Sequence, residues 1–362
     1  MAPCNLTAVE ARRQISAGEL SSVDLVTSCL DRIEAVDPAV NAMITRAGEQ
    51  ALAAAAAADA TAPMGPLHGI PVAIKDLQPT ADLRTTYGSP SHADHVPDTD
   101  AGIVARIRAA GGIVIGKTNI PEFSIGANTV NPLFGATGNP FAVDLTCGGS
   151  SGGSAVAVST GMAPLATGSD HGGSLRIPAS YCGVVGYRAT PGVVPHEGRA
   201  VTQTFYSVQG PMARTVEDTA LLLSVIAGRT RLDPMAFPLD TAALARLAPV
   251  NVGDLRIGVS EDLGGLLVSS TIRRTFRDRA HRLERIVGSM HEPTVDLRAA
   301  PGVDWRIRSD LFVAQYGRDA DGWDDDFNPN IRQSYDSAMT TPMADIAAAR
   351  RTQMELYQQF QA

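Results

Sequence analysis

The segment CGGSSGGSAVAVSTGMAPLATGSDHGGSLRIPASYCGVVG, residues 147–186, is the most informative part of this chain. It holds two glycine-serine clusters, residues 148–154 and 172–174, on either side of the apolar run 155–167. Segments rich in Gly and Ser usually serve as flexible linkers, but a linker is not flanked by apolar sequence such as AVAV and IPASYCGVVG. Glycine also loses more backbone entropy on ordering than any other residue. We therefore interpret the segment as a rigid site in which backbone amides approach a ligand closely.

The composition is that of a globular protein without the charge pattern of a nucleic-acid or membrane binder. The chain has 362 residues, 44% hydrophobic and 19% charged, which suits one large α/β domain or two ordinary ones. The net charge of −8 and the lack of a basic block argue against a nucleic-acid partner or an anionic membrane surface. Every apolar stretch is interrupted well before the ~18 residues that a membrane span requires.

The N-terminus and the cysteines indicate a cytoplasmic protein. Residues 1–13, MAPCNLTAVEARR, lack a charged segment followed by an apolar one, so we expect no secretory signal. Cys4, Cys29, Cys147 and Cys182 form no C-x-x-C pair and are too few for a disulfide framework. We therefore expect free thiols, with a buried structural role for Cys147.

The first 62 residues predict helices. Thr7-Ala8-Val9-Glu10 has the form of a capping box, and Ser21-Ser22-Val23-Asp24 resembles one with Asp in the acidic position. The helix after the second motif has apolar residues spaced by three and four, and it is expected to end near Asp37-Pro38. The alanine-rich run 47–60 predicts a peripheral helix with little to pack.

The middle of the chain alternates between strands and helices, which predicts a layered α/β architecture. Residues 71–74 predict a buried strand that delivers Lys75, and residues 113–115 predict another strand. Gly116-Lys117-Thr118-Asn119 is expected to turn out of the second strand. Helices are predicted at 101–110, 216–226 and 271–287, and a further strand at 255–259.

Three segments predict loops or remain hard to interpret. Residues 119–139 are long and rich in Asn, Gly and Pro, and their apolar side chains favour an ordered pocket wall. His92, Asp94 and His95 suggest a metal site, but no fourth donor accompanies them, so a solvated loop is favoured. Residues 301–362 are polar, and their acidic run Asp324-Asp325-Asp326 lacks EF-hand spacing, so we expect a solvated surface there.

Hydrolysis by a serine requires a base for the hydroxyl proton and donors for the oxyanion. The segment Gly172-Gly173-Ser174-Leu175-Arg176 is not the strand-turn-helix elbow of Ser-His-Asp hydrolases. Of the seven histidines, only His171 lies near the glycine clusters. The residues alone therefore leave Lys75, His171 and Asp170 open as the base.

Two segments together resemble the amidase signature family. Residues 147–186 are similar to the signature, and GIPVAIKD, residues 69–76, is similar to the segment that carries the lysine of that family. The resemblance implies a Ser–cis-Ser–Lys triad with Ser174 as nucleophile, Ser150 as the bridging serine after a cis peptide bond, and Lys75 as base. A lysine in water has a pKa of about 10.4, so this role requires burial that disfavours the ammonium.

The same resemblance gives the neighbouring residues roles. Two consecutive glycines let a loop present several N–H groups in one direction, so the oxyanion hole is expected from the amides of His171, Gly172, Gly173 and Ser174. The His171 side chain replaces a smaller residue, and either packs as a neutral ring or contacts substrate. The expected substrate-facing residues are Ser124, Ile125 and Gly126, and the supporting residues are Ser151, Asp170 and Arg176. For Arg176, the alternative is a role as no more than a buried partner of Asp170.

The implied fold is one α/β/α domain over residues 1–362, with a mixed, twisted central β-sheet flanked by helices. Its parts are an N-terminal helical wrapping at 1–62, the signature core at 66–227 and a C-terminal part at 228–362. The last part is shorter than usual for the family, which leaves one wall of the pocket unaccounted for.

The implied function is an amidohydrolase that cleaves the C–N bonds of carboxylic amides, a class that extends to anilides and carbamates, through an acyl-enzyme on Ser174. The expected partner is a small-molecule amide, without metal or organic cofactor, and a homodimer is left open. One alternative is the glutamine-hydrolysing subunit of an amidotransferase complex, in which Gln rather than Ile177 would follow Arg176. The other is an inactive binding or scaffold homologue, against which the intact Lys75, Ser150 and Ser174 argue.

Overall fold

The computed structural model describes residues 1–202, 204–317 and 328–361. Contacts divide the chain into two units, Met1–Leu247 and Ala248–Ala362. The subdivision into one domain with parts at 1–62, 66–227 and 228–362 stays a prediction.

A mixed six-stranded sheet forms the centre of the first unit, and it confirms the predicted fold class. Its order is β1-β3-β2-β8-β10-β9. The strands β3, β2 and β8 are parallel to one another, while β1, β10 and β9 pair antiparallel with their neighbours. Parallel strands end at the same edge of a sheet, so Lys75 at the end of β2 and Asp170 at the end of β8 lie at one edge. The strands of this unit are β1 (Met43–Arg46), β2 (Pro71–Lys75), β3 (Ile113–Thr118), β4 (Val130–Asn131), β5 (Gly135–Ala136), β6 (Gly138–Asn139), β7 (Ala142–Thr146), β8 (Leu165–Asp170), β9 (Val185–Gly186) and β10 (Val208–Ala213).

The first two helices of the first unit begin where the capping motifs predicted. Thr7 and Ser21 accept hydrogen bonds from the amides of Glu10 and Asp24, which confirms both N-caps. The second helix continues through Pro38 to Val40 and ends at Asn41 in the left-handed conformation. The helices are α1 (Ala8–Ser16), α2 (Ser22–Val40), α3 (Gly48–Asp59), α4 (Gly102–Ala109), α5 (Gly152–Ser159), α6 (Arg176–Cys182), α7 (Val216–Ile226) and α8 (Thr241–Leu244).

The alanine-rich helix α3 packs more closely than predicted. Ala51 and Ala55 are buried in a cluster with Val26 and Ile113. Because alanine side chains are short, α3 buries one face despite having little side chain to pack.

The strand β3 extends beyond the residue where the sequence predicted a turn. It continues through Lys117 to Thr118, and both side chains are fully buried. The expectation that residues 116–119 turn out of the strand is therefore wrong. A buried ammonium is tolerated at Lys117 because a carbonyl and two threonine hydroxyls accept its hydrogen bonds.

Residues 119–139 form an ordered segment, as predicted, and buried asparagines hold it. Asn131 Nδ2 donates to Asn119 Oδ1 at 2.6 Å, and Asn119 Nδ2 donates to Thr137 Oγ1 at 3.0 Å. All four cysteines are buried and free, which confirms the expected thiols, including Cys147.

The second unit contains a two-stranded parallel sheet and four helices within its described residues. The predicted strand and helix at 255–259 and 271–287 correspond to its first two elements, whereas the last three helices were not predicted. The acidic run Asp324-Asp325-Asp326 lies outside the described residues. Across the described part of both units, every helix is too short or too polar to span a membrane. The elements are β11 (Arg256–Gly258), α9 (Ser270–Glu284), β12 (Ser289–His291), α10 (Ala300–Tyr316), α11 (Pro329–Met339) and α12 (Met343–Gln361).

Candidate active site

Lys75 ends β2 with its amine enclosed by three serine hydroxyls. Its Nζ lies 2.7 Å from Ser150 Oγ, 3.0 Å from Ser151 Oγ and 2.8 Å from Ser169 Oγ. The side chain is 0% exposed. Burial lowers the pKa of Lys75 to about 7, while the negative charge of Asp170 acts in the opposite direction. An amine with this pKa is present in its neutral form near pH 7.

The three hydroxyls around Lys75 differ in where their own protons can go. Ser151 Oγ donates to the carbonyl oxygen of Ser169 at 3.2 Å, so it accepts from Lys75. A neutral amine has two hydrogens to donate and one lone pair to accept with. Ser150 Oγ, at 2.7 Å, and Ser169 Oγ, at 2.8 Å, are therefore the hydroxyls that can donate a proton to a neutral Lys75.

Ser150 lies on a tight loop that only glycine permits. The Gly149–Ser150 peptide bond is cis. A Cβ on Gly149 would come within 2.9 Å of the backbone of Asn128, and Gly148 has a φ of 76°. The glycines of the first cluster are thus required by close backbone approach.

The carboxylate of Asp170 organises the loop that carries Ser174. It accepts from the amide of Gly173 at 2.9 Å and from that of Leu175 at 3.2 Å. The guanidinium groups of Arg176 and Arg188 also donate to it. Burial alone would raise the pKa of Asp170, but the hydrogen bonds and positive charge of Arg176, with smaller contributions from Gly173 and Arg188, hold it at about 2.

Arg176 was expected as a buried partner of Asp170, and the structure corrects part of this. The ion pair is present, with Arg176 Nε 3.0 Å from Asp170 Oδ2, but 56% of the Arg176 side chain is exposed. The guanidinium of Arg176 thus pairs with the buried carboxylate of Asp170 while more than half of its side chain stays open to solvent.

The loops of Ser150 and Ser174 are joined directly. The amide of Ser151 donates to the carbonyl oxygen of Ser174 at 3.3 Å, and the Ser174 side chain is half-buried. The Ile177 side chain packs against both loops, since a Cβ on Gly148 or Gly173 would approach it within 3.0 Å. The structure therefore brings Lys75, Ser150 and Ser174 into one region.

The four amides expected to form an oxyanion hole are not equivalent. The Gly173 N–H donates to Asp170, which leaves the amides of Gly172 and Ser174 as the candidates for an oxyanion. The His171 ring stacks on Tyr206 with ring centroids 5.3 Å apart.

The expected substrate-facing residues form a turn beside the loop of Ser150. Phe123 and Ser124 have positive φ values of 49° and 61°, and Gly126 has a φ of 144°. Such non-glycine conformations are uncommon and concentrate at functional sites. Within the described residues, the buried Ser124 Oγ has no hydrogen-bond partner. Ile125 is half-buried and Gly126 is exposed.

The histidine loop considered for a metal is an aromatic cluster. The His92 ring lies 5.1 Å from that of Tyr87, 5.7 Å from that of His95 and 5.9 Å from that of Phe123. Over residues 1–202, 204–317 and 328–361, three or more His, Cys, Asp or Glu side chains do not converge in a way that could hold a metal ion.

Sequence reasoning missed Ser169 and Arg188. Ser169 contacts the Lys75 amine, and Thr167, two residues earlier, accepts from the Lys75 amide at 3.0 Å. Residues two apart on a strand share a face, so two hydroxyls at this spacing in β8 were the available signal. Arg188 is brought in from a distant segment, and the sequence carries no comparable signal for it.

Comparisons with known proteins identify the family of the chain. The amidase family profile matches residues 24–300. The chain is 41% identical over 261 residues to a subunit of the glutamyl-tRNA(Gln) amidotransferase of Natranaerobius thermophilus, covering 71% of this chain and 53% of that protein. It is 40% identical over 313 residues to the corresponding subunit from Moorella thermoacetica, covering 85% of this chain and 63% of that protein. The chain thus spans little more than half the length of these curated relatives.

Solved structures agree with the sequence relatives. A bacterial aryl acylamidase of the amidase signature family superposes with a TM-score of 0.88 at 26% identity, covering 98% of this chain and 77% of that one. The peptide amidase of Stenotrophomonas maltophilia superposes with a TM-score of 0.79 at 29% identity, covering 96% and 78%. With the family profile covering most of its length, this chain belongs to the amidase family.

Proposed function

We propose that this protein is an amidohydrolase that cleaves the C–N bond of carboxylic amides, with Ser174 as nucleophile, Ser150 as proton bridge and Lys75 as base. The observation that carries the proposal is the contact of 2.7 Å between the buried Lys75 Nζ and Ser150 Oγ. Family membership and the structural neighbours support an enzyme that hydrolyses amides.

In the proposed acylation step, protons pass from Ser174 through Ser150 to Lys75. Ser174 Oγ bonds to the substrate carbonyl carbon while its proton passes to Ser150 Oγ, and the proton of Ser150 passes to neutral Lys75. The negative charge on the former carbonyl oxygen is stabilised by the amides of Gly172 and Ser174. When the C–N bond breaks, Lys75 returns the proton through Ser150 to the leaving nitrogen, and the amine departs.

Deacylation uses the same relay with water as the nucleophile. Water attacks the acyl carbon while the relay takes one of its protons. The C–O bond to Ser174 then breaks, Ser174 Oγ regains a proton from the relay, and the carboxylic acid leaves. The same three side chains therefore serve both halves of the reaction.

A fluorophosphonate probe tests the proposal without knowledge of the substrate. Attack by Ser174 forms an O–P bond and releases fluoride. We expect rapid labelling of the wild type, and none of Ser174→Ala at an unchanged thermal unfolding midpoint. Labelling of folded Ser174→Ala at the wild-type rate, on the same peptide, would refute the assignment. A panel of amides, anilides, carbamates and esters then defines the substrate class.

A second candidate is a glutamine-hydrolysing subunit of an amidotransferase, and the names of the curated relatives favour it. Against it stands Ile177, an apolar side chain packed between Gly148 and Gly173 where this candidate predicts glutamine. Release of ammonia from glutamine, but not of aniline from simple anilides, would select the second candidate over the first.

A further inference from the structure

A second fully buried lysine lies one strand away from the proposed base. Lys117 is on β3 opposite Ile74 of β2, and its side chain is 0% exposed, like that of Lys75. The proposed mechanism does not use it. Its Nζ donates to Gln78 O at 2.5 Å, to Thr80 Oγ1 at 3.0 Å and to Thr85 Oγ1 at 2.8 Å.

Asp76, the residue after Lys75, provides the counter-charge for Lys117. Its Oδ1 lies 3.9 Å from Lys117 Nζ, and Oδ2 accepts from the Thr86 amide at 3.0 Å and hydroxyl at 2.6 Å. Adjacent residues at a strand end point to opposite faces. The Asp76–Lys117 pair therefore lies on the opposite face from the Lys75 amine, with one peptide unit between the carboxylate residue and the base.

Hydrogen bonds connect this pair to the backbone of the base. The Gln78 amide donates to Lys75 O at 2.9 Å and so closes a turn after β2. The carbonyl oxygen of Gln78, at the end of this turn, accepts from Lys117 Nζ. Thr167 Oγ1 donates to Gln78 Oε1 at 2.5 Å and accepts from the Lys75 amide at 3.0 Å. Lys117 thus supports the turn that fixes where β2 delivers Lys75.

The other charges that act on the two lysines have ion-pair partners of their own. Asp170 acts on Lys75 from the end of β8, and it is paired with Arg176 of α6 and with Arg188. Asp100, which precedes α4, acts on Lys117 and is paired with Arg108 at 3.1 Å. Asp76 and Lys117 balance each other.

We infer that Lys117 and Asp76 are positioning residues for Lys75, whose balanced charges set the pH at which Lys75 loses its proton. The inference rests on the proposed role of Lys75 as base. Loss of the ammonium leaves a buried carboxylate that favours protonated Lys75. Loss of the carboxylate leaves an ammonium that favours neutral Lys75.

The test is the pH dependence of fluorophosphonate labelling between pH 5 and 10. The labelling rate rises with pH as Lys75 becomes neutral. In Lys117→Met the midpoint moves to higher pH by about half a unit or more, and in Asp76→Asn it moves to lower pH by a similar amount. The double variant Lys117→Met/Asp76→Asn returns toward the wild-type midpoint.

Asp218→Asn is the matched control. Asp218 is fully buried, burial raises its pKa as it does for Asp76, and it accepts from the Val9 amide at 2.9 Å, away from Lys75. The same substitution there should leave the midpoint unchanged. If Lys117→Met does not fold, as judged by its thermal unfolding, Asp76→Asn and the double variant carry the test.

Failure of the inference is distinguishable from failure of the proposed function. If Lys75→Ala abolishes labelling while Asp76→Asn and every folded Lys117 variant keep the wild-type midpoint, the inference is overturned and Lys75 remains the base. Shifts opposite to those stated overturn it as well. If Lys75→Ala labels like the wild type, the proposed function itself fails.

Discussion

Lys75 and Lys117 occupy neighbouring strands, are equally buried, and differ in what surrounds the amine. Burial lowers the pKa of Lys75 to about 7, and it lowers the pKa of Lys117 against the opposing charge of Asp76. Hydroxyl groups of three serines surround Lys75, whereas Lys117 has a carbonyl, two threonines and a carboxylate at 3.9 Å. A carboxylate in contact favours the charged form of an amine, and serines can pass a proton to the neutral form. What distinguishes the proposed base from a structural lysine is therefore the set of groups around its amine, and not how deeply it is buried.

The largest expected effect is that substitution of Lys75 mainly lowers the reaction rate, whereas substitution of Lys117 mainly lowers the stability of the fold. Lys75→Met should lower turnover or labelling by about 10³-fold or more while the fold persists, because the proton relay loses its acceptor. Lys117→Met should lower the free energy of unfolding by about 3–5 kcal/mol, because it leaves Asp76 buried without its counter-charge. Rate measurements and thermal unfolding on both variants check this. If the two variants lost the same amount of rate at the same stability, the two lysines would not differ in role. Lys75→Arg should not restore activity, because the guanidinium stays protonated.

The two adjacent serines provide the next contrast. Ser150→Ala should reduce the labelling rate by about 10²- to 10³-fold, since Ser150 is the proposed proton bridge to Lys75. Ser151→Ala should cost only about tenfold, because its own proton is committed to the carbonyl oxygen of Ser169 and it merely accepts from Lys75. Single-turnover labelling rates for the two variants measure the difference. A larger effect at Ser151 would reverse the order of the relay.

The lowered pKa of Lys75 also predicts how stability depends on pH. Between pH 7 and the ordinary lysine pKa of 10.5, Lys75 is neutral in the folded protein and protonated in the unfolded chain. The unfolded state then binds more protons, so the free energy of unfolding rises with pH, by up to about 1.4 kcal/mol per pH unit for this lysine. Chemical denaturation at pH 7, 8 and 9 measures this slope, which should be smaller in Lys75→Met. A slope that the substitution leaves unchanged would mean that Lys75 stays protonated in the folded state.

The sequence predicted the residues that lie in local motifs and missed those that distant segments bring into place. The residues of the proposed triad lie in short motifs of glycine, serine and an apolar strand, and the resemblance of these motifs to a known family pointed to all three. Lys117 follows a glycine and precedes Thr-Asn, which locally favours a turn. Its burial is decided by Thr80 and Thr85, contributed by the loop after β2. The contact of Ser169 with Lys75 and the hydrogen bond from the Gly173 amide to Asp170 likewise depend on how β8 and the loop after it fold.

The smallest expected effect concerns charge at the rim of the site. Arg176 is largely exposed and neutralises part of the Asp170 charge, and Asp170 raises the pKa of Lys75. In Arg176→Gln the carboxylate is less compensated, although Arg188 still pairs with it. Lys75 should then keep its proton to slightly higher pH, and the labelling midpoint should rise by a few tenths of a unit, about the size expected for an exposed charge.

His171→Thr is the control for this last shift, because it replaces a ring stacked on Tyr206 next to the same loop. With Lys75 as base, this variant should keep the wild-type midpoint and change mainly the preference among probes of different acyl size. A histidine base with an ordinary pKa near 6.5 would produce a similar rise of rate with pH, so the mutants must decide. If His171→Thr abolishes the pH dependence while Lys75→Ala retains it, the proton goes to the histidine, and the contrast between the two lysines carries no catalytic meaning.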